Sequence, residues 1–297
     1  MELSGHTRPF AVLGHPIGHT LSPRMHNAAF SKLGMDAVYL AFDVAPDRLM
    51  KVLPAMADMG FGGINLTVPL KEVAFRKLRL LDEPASLLGA VNTVEICSKG
   101  LVGHNTDGPG FLKAVDEAFG VGVRGLSIFI LGAGGAGRAI AITCAKQKAG
   151  RIVLADELAK RARKLAGEIS SLAPAVKIQP VELGSGQLID LLGEADLVVN
   201  ATPVGMRRDD HFPIRAADLR DNQLAFDLVY MFPETAFMKQ ARMAGAKAAN
   251  GLGMLLHQGV LAFEIWTGVK PPVAIMRCAL EDAVYGKNRY PRKKVVR

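Results

Sequence analysis

Residues 132–137, Gly132-Ala133-Gly134-Gly135-Ala136-Gly137, fit the pattern G-x-G-x-x-G directly after the apolar stretch 126–131 (LSIFIL) and at the start of a helical segment. In that context the small residues permit a tight turn. The backbone N–H groups of Gly132, Ala133, Gly134, Gly135 and Ala136, with the helix dipole behind them, then suit a pyrophosphate. The next strand ends in Ala155-Asp156-Glu157, where an acid is placed to accept hydrogen bonds from an adenosine ribose and to repel a 2′-phosphate. Asp156 is equally placed to cap the following helix, and the two roles are compatible. Lys160, Arg161 and Arg163 lie one or two turns along, a spacing more typical of a solvated face than of a phosphate clamp. The chemistry implied is that of a nicotinamide dinucleotide, with NAD favoured over NADP by Asp156 and Glu157.

Polar residues also gather where apolar runs end: 14–23 (GHPIGHTLSP), 65–72 (NLTVPLKE), 89–93 (GAVNT), 103–108 (GHNTDG), 200–206 (NATPVGM), 227–230 (DLVY) and 251–258 (GLGMLLHQ). Ser22 and Pro23 suit the N-cap and first turn of a helix running to Leu33, so the Thr20 and Ser22 hydroxyls stand where free N–H groups favour an anion. Hydride transfer to a ketone builds negative charge on oxygen, so a lysine that donates a proton, oriented by a carboxylate, lowers the barrier. Taken singly, Lys71 reads as a surface lysine at a helix start and Asp107 as a helix N-cap. His15, His19 and His26 are separated by Pro16 and Gly18, which break helical spacing, and have no cysteine or carboxylate close by in sequence, so no metal site is expected. His104 and His257 flank the polar segments and read as core or rim residues.

Positioning these groups requires alternating strands and helices. Apolar runs at 10–13, 37–44 and 63–66 alternate with helical segments at 23–33 and from about Asp47, and a strand pair follows at 90–96 and 101–103 around the turn 98–100. After Asp107 a helix leads into a second series: strand 126–131, helix from Gly135, strand 151–155, helix 158–169, then strands 176–181, 196–200 and 224–229. Helices 254–266 and 272–285 close the chain with no strand between them. The expectation is an α/β protein of two α/β domains: an N-terminal substrate domain with a mostly parallel sheet, 1–106, completed by C-terminal helices in 253–297 that pack back on it, and a Rossmann-type dinucleotide-binding domain, 107–252. Such a pair is expected to hold cofactor and substrate across a cleft, with Gly251 and Gly253 as hinge positions.

Composition narrows the partners. Of 297 residues 49% are hydrophobic and only 6% aromatic, which argues against a stacking surface for single-stranded nucleic acid. The net charge of +8 raises nucleic acid, an anionic membrane or a small anion as partners, but residues 287–297 (KNRYPRKKVVR) hold six basic groups and no acid. The basic character is therefore largely a tail, and neither nucleic acid nor membrane is expected as a partner. Cys97, Cys144 and Cys278 are far apart and form no CxxC, and the first ten residues do not resemble a secretory signal, so a cytoplasmic protein, monomeric or homodimeric, is expected.

The seven polar segments, in this order and over nearly the whole chain, resemble the shikimate dehydrogenase family of the shikimate and quinate dehydrogenase superfamily. The resemblance implies a cyclohexene carboxylate substrate, shikimate or 3-dehydroshikimate, a place in aromatic amino acid biosynthesis, and Lys71 with Asp107 as the catalytic pair. It implies that the carboxylate-holding hydroxyls are Thr20 and Ser22, with Thr20 replacing a serine, and that Thr67, Asn92, Tyr230 and Gln258 contact substrate. Thr202, Val229 and Gly251 fall on cofactor-lining positions. Asp156-Glu157-Leu158-Ala159-Lys160-Arg161 departs from the Asn-Arg-Thr-x-x-Arg of NADP-using members: only Arg161 survives of the phosphate-binding set. That resembles NAD-using quinate/shikimate dehydrogenases acting in the oxidative direction, which stand as the alternative. A basic surface binder and a cofactor-binding regulator with an inactive site are the remaining rivals.

Overall fold

The computed structural model describes residues 3–207, 210 and 212–286; the basic run 287–297 lies outside the described residues. The chain divides into two compact units, Met1–Thr106 with Gly259–Arg297, and Asp107–Gln258.

In unit one, strands β1 (Arg8–Gly14), β2 (Ala37–Asp43), β3 (Gly63–Leu66), β4 (Leu80–Leu81), β5 (Thr93–Cys97) and β6 (Gly100–His104) form a sheet of order β2-β1-β3-β5-β6-β4. The β2-β1-β3 portion is parallel, whereas β5 runs antiparallel to β3 and β6. Helices α1 (Ser22–Leu33), α2 (Leu49–Asp58), α3 (Leu70–Lys77) and α4 (Glu83–Leu88) connect them. Successive side chains of β1 point to opposite faces. Ala11 and Leu13 join Leu49, Leu53, Ile64 and Leu70 on one side. Phe10 meets Phe30 and Trp266 on the other.

Unit two opens with α5 (Asp107–Phe119) and continues β7 (Ser127–Leu131), α6 (Gly135–Lys146), β8 (Arg151–Asp156), α7 (Ala159–Leu172), β9 (Lys177–Glu182), α8 (Leu188–Gly193), β10 (Leu197–Asn200), β11 (Leu224–Asp227), α9 (Ala236–Met243) and β12 (Lys247–Asn250). The order β12-β11-β10-β7-β8-β9, parallel throughout, is that of a doubly wound dinucleotide fold, with its switch point between β7 and β10. Val, Ile, Leu and Phe fill β7, β8 and β10 because helices cover both faces.

The last helices are α10 (Leu252–Thr267) and α11 (Val273–Tyr285), and α11 packs on α1. The division between units falls inside α10, after Gln258, rather than at the glycines 251 and 253 that punctuate its start. The first turns of α10 lie on α5, where a Cβ on Gly110 would come within 2.9 Å of the Gln258 backbone. From Gly259 onward the helix meets Met25 and His26, and Trp266 Nε1 donates to the Val94 carbonyl at 3.0 Å.

Local assignments differ from the sequence reading in several places. Ser22 is the first residue of α1, not its cap: Leu21 is the N-cap, with no side-chain hydrogen bond, and Ser22 is buried. A short 3-10 turn, Pro46–Arg48, precedes α2 where a helix from Asp47 was expected. Strands β4 and β12 and helices α4 and α8 are additional, too short or too rich in alanine to carry a period. Among the described residues no helix is long and apolar enough to cross a membrane.

His104 on β6 is held on both ring nitrogens, Nδ1 to Asp82 at 3.0 Å and Nε2 to Glu95 at 3.1 Å. Asp82 also caps α4 through the Ala85 N–H at 2.7 Å. Hydrogen bonding to Asp82 leads the effects that raise the His104 pKa above its usual value. A raised histidine pKa contributes stability that is full below the unfolded value of about 6.5 and is lost as pH rises through the folded value. Wild type is therefore expected to lose more melting temperature than His104→Gln between pH 6 and pH 9; parallel Tm curves would refute the clamp.

Candidate active site

In unit one the polar residues converge at the C-terminal ends of β1 and β3. Thr67 follows β3, its N–H donating to the Leu13 carbonyl at 2.9 Å. Gly14 is required beside it, because a Cβ there would lie 2.5 Å from the Thr67 methyl. Thr20 lies two residues before α1, and its hydroxyl oxygen accepts the Ser22 N–H at 3.3 Å. Lys71 lies in the first turn of α3, half-buried, and its carbonyl accepts the Val91 N–H at 3.0 Å. That bond ties the helix carrying the lysine to the segment carrying Asn92.

Asn92 is buried, and its side chain bridges to the segment before α5: Nδ2 donates to Thr106 Oγ1 at 2.9 Å and Oδ1 accepts the Thr106 N–H at 2.8 Å. Asn105 Nδ2 reaches the Ala90 carbonyl at 2.8 Å. Within unit one Thr20 is thus bonded to Ser22, Thr67 to β1, and Lys71 to the segment that carries Asn92. Asp107, the first residue of α5, Tyr230 and Gln258 belong to unit two. Burial raises the Tyr230 hydroxyl pKa. Gln258 Nε2 donates to the Leu255 carbonyl at 2.9 Å.

The glycine loop of unit two sits at the switch point. Gly132 has φ of 100°, open to glycine, and its N–H donates to the Ala155 carbonyl at 2.7 Å. A Cβ on it would come within 3.0 Å of Thr202. Gly134 is the N-cap of α6 and offers no side-chain cap, so the first-turn N–H groups are left for an anion; a Cβ at Gly134 would meet nothing within 4 Å. This loop fits a pyrophosphate. Asp156 is buried and does two jobs: Oδ2 accepts the Ala133 N–H at 2.7 Å and Oδ1 the Leu158 N–H at 2.8 Å. The acid therefore braces the loop and the entry to α7. Glu157 and Arg161 are exposed beside it.

Next to the loop, Asn200 Oδ1 accepts from the Thr202 hydroxyl at 2.7 Å, and its Nδ2 donates to Asp227 at 2.8 Å. Asp227 also accepts from the Val229 N–H at 3.0 Å and the Thr235 hydroxyl at 2.5 Å. Burial pushes its carboxyl up to about 6 against the pull of these donors. Gly251 N–H donates to the Val229 carbonyl at 3.3 Å, and a Cβ on Gly251 would lie 2.2 Å from the Leu228 carbonyl oxygen. Thr202, Val229 and Gly251 are in this way set by one buried polar network whose centre, Asn200 and Asp227, the sequence reading left unassigned. Both stood inside polar segments at strand ends, which was the available signal.

The histidines find other neighbours. His15 Nδ1 meets Asp43 at 2.5 Å, and His257 Nε2 meets Glu117 at 2.7 Å. His26 is buried against Tyr39, and burial lowers its pKa to about 3.

Residues 12–94 match the shikimate dehydrogenase substrate binding domain, 128–208 the saccharopine dehydrogenase NADP binding domain, and 251–281 the shikimate 5′-dehydrogenase C-terminal domain. A shikimate dehydrogenase (NADP(+)) of Methanopyrus kandleri is 43% identical over 282 residues, which cover 94% of this chain and 97% of that one. A solved shikimate dehydrogenase in complex with NADP+ superposes with a TM-score of 0.88 at 38% identity, covering 95% of this chain and 98% of its own. The shikimate 5-dehydrogenase of Listeria monocytogenes, solved with shikimate and NAD, has a TM-score of 0.86 at 37% identity, covering 93% and 97% respectively.

Proposed function

The chain belongs to the shikimate dehydrogenase family, and from that premise we propose how its residues divide one reaction, the reversible hydride transfer between a nicotinamide dinucleotide and 3-dehydroshikimate or shikimate. The observation that carries the reading is the polar cluster of unit one, with Lys71 tied by its backbone to the Asn92 segment. Thr20 and Ser22 hold the substrate carboxylate beside the N-terminus of α1, where the dipole favours an anion. Thr67, Asn92, Tyr230 and Gln258 bind the remaining polar groups. Lys71 Nζ gives its proton to the ketone oxygen as charge develops there, and takes the hydroxyl proton in the reverse direction. Asp107 is the carboxylate of the pair. A bound dinucleotide would supply or take the hydride at its nicotinamide ring, with residues 132–136 placed to hold its pyrophosphate and Thr202, Val229 and Gly251 to line its site.

The dinucleotide is NAD. The relatives named above include users of NADP, but two adjacent acids, Asp156 and Glu157, stand where an adenosine 2′-phosphate would add negative charge. Of the phosphate-binding set of NADP-using members Arg161 alone is kept, at an exposed position. Three cysteines without paired spacing agree with a cytoplasmic enzyme.

Steady-state kinetics with shikimate and quinate, each with NAD and NADP, test both parts. The expected result is shikimate over quinate and at least about tenfold higher kcat/KM with NAD. Glu157→Arg shifts that ratio towards NADP without disturbing the loop, because Asp156 keeps its two N–H partners. A wild-type preference for NADP would overturn the roles of Asp156 and Glu157 alone; no turnover of shikimate with either dinucleotide would overturn the reaction.

A further inference from the structure

Tyr39 lies in none of the polar segments, yet it is fully buried and its hydroxyl reaches Asn65, beside the Asn92 segment. The hydroxyl donates to Asn65 Oδ1 at 2.6 Å. Asn65 Nδ2 in turn donates to the Asn92 carbonyl at 3.1 Å and to Thr93 Oγ1 at 3.1 Å, and Thr93 Oγ1 donates to Asn92 Oδ1 at 3.1 Å. A backbone carbonyl only accepts, so the Asn65 amide is oriented with its nitrogen towards Asn92 and its oxygen towards Tyr39. Tyr39 must therefore donate to Asn65. The direction of every bond from Tyr39 to Asn92 follows from that one carbonyl.

The position of Tyr39 is itself fixed from α1. Asn27 Oδ1 accepts the Tyr39 N–H at 2.7 Å and Asn27 Nδ2 donates to the Tyr39 carbonyl at 2.9 Å. His26 stacks on the phenol ring, centroids 4.4 Å apart and planes 14° apart. Helix α1 thus grips, by backbone and by ring, the residue that bonds to Asn65 and through it to Asn92.

We propose that Tyr39 is a positioning residue for the substrate site, holding the Asn65–Asn92 pair as one hydrogen-bonded unit. The proposal rests on the reading of Asn92 as a substrate contact. Buried chains of this kind act cooperatively, so cutting the Tyr39 link loosens the Asn65 amide and the Asn92 segment together.

Tyr39→Phe, Asn92→Ala and the double variant, assayed as full-length enzyme with saturating dinucleotide, provide the test. Tyr39→Phe is expected to raise KM for shikimate about tenfold, with kcat within threefold and KM for the dinucleotide within twofold of wild type. The double variant is expected to show a KM close to that of the worse single variant, because Tyr39 and Asn92 act through one chain. A shikimate KM within twofold of wild type, an equal rise in both KM values, or multiplicative effects in the double variant would each overturn the proposal. If Asn92→Ala leaves the shikimate KM unchanged, the substrate role of Asn92 fails and the proposal with it. If Asn92→Ala raises it and Tyr39→Phe does not, only the role of Tyr39 fails. Should Tyr39→Phe not fold, Asn65→Ala cuts the same chain on the other side of the phenol, with the same pattern expected and the same results counting against it.

Discussion

Lys71→Ala is expected to lower kcat for shikimate oxidation by about two to four orders of magnitude, the usual contribution of a positioned proton donor and acceptor. The melting temperature should stay within a few degrees of wild type. The lysine is half-buried in the first turn of α3, and the bond from the Val91 N–H to its carbonyl is one that alanine retains. The expected loss is therefore in turnover. Lys71→Ala should also leave the dinucleotide affinity unchanged, since it alters none of the residues proposed to hold the dinucleotide. Turnover within a few-fold of wild type would remove Lys71 from the mechanism, whatever the fate of the remaining assignments.

The second large effect separates packing from ligand contact in the glycine loop. A Cβ on Gly137 would lie 1.8 Å from the Gly132 carbonyl oxygen, a backbone atom of a residue already held at φ of 100° and bonded to Ala155. Nothing there can move aside cheaply, so Gly137→Ala is expected to lower Tm by several degrees and to weaken dinucleotide binding at least about thirtyfold. Gly134 has an ordinary φ of −74° and open space above it. Gly134→Ala should keep the wild-type Tm and still weaken dinucleotide binding, because the added methyl stands where the pyrophosphate approaches α6. Calorimetric titration with NAD and a thermal melt of each variant decide the matter. A Gly134→Ala protein that binds NAD as well as wild type would place the pyrophosphate elsewhere.

Much of this was legible from local pattern. The strand, glycine turn and helix at 126–146 carry the dinucleotide unit because a parallel strand buried on both faces reads as an unbroken apolar run, and because only glycines allow the loop to close on β7 and β10. The alternation of strands and helices in unit one was legible for the same reason, as was the gathering of Thr20, Ser22, Thr67, Lys71 and Asn92 at strand ends. The short elements β4, β12, α4 and α8 were not, since a few residues cannot establish a period against the background of chance. The point inside α10 where the units divide was hidden too: its glycines at 251 and 253 look like punctuation, while the helix actually changes partner at Gly259, where it passes from α5 to α1.

The sequence by itself determined the fold class, the family and the chemical types at the site, because those follow from residue order and from periodicities of a few residues. Tertiary structure alone decided how the site is held. The placement of Tyr39 depends on Asn27 of α1, and the orientation of Asn65 depends on a carbonyl 27 residues away. The loop-bracing role of Asp156 depends on a backbone N–H 23 residues before it. These partners meet only because sheet register sets separate strands side by side, and a hydrogen bond is directional over about 3 Å, a constraint no local pattern of residues encodes.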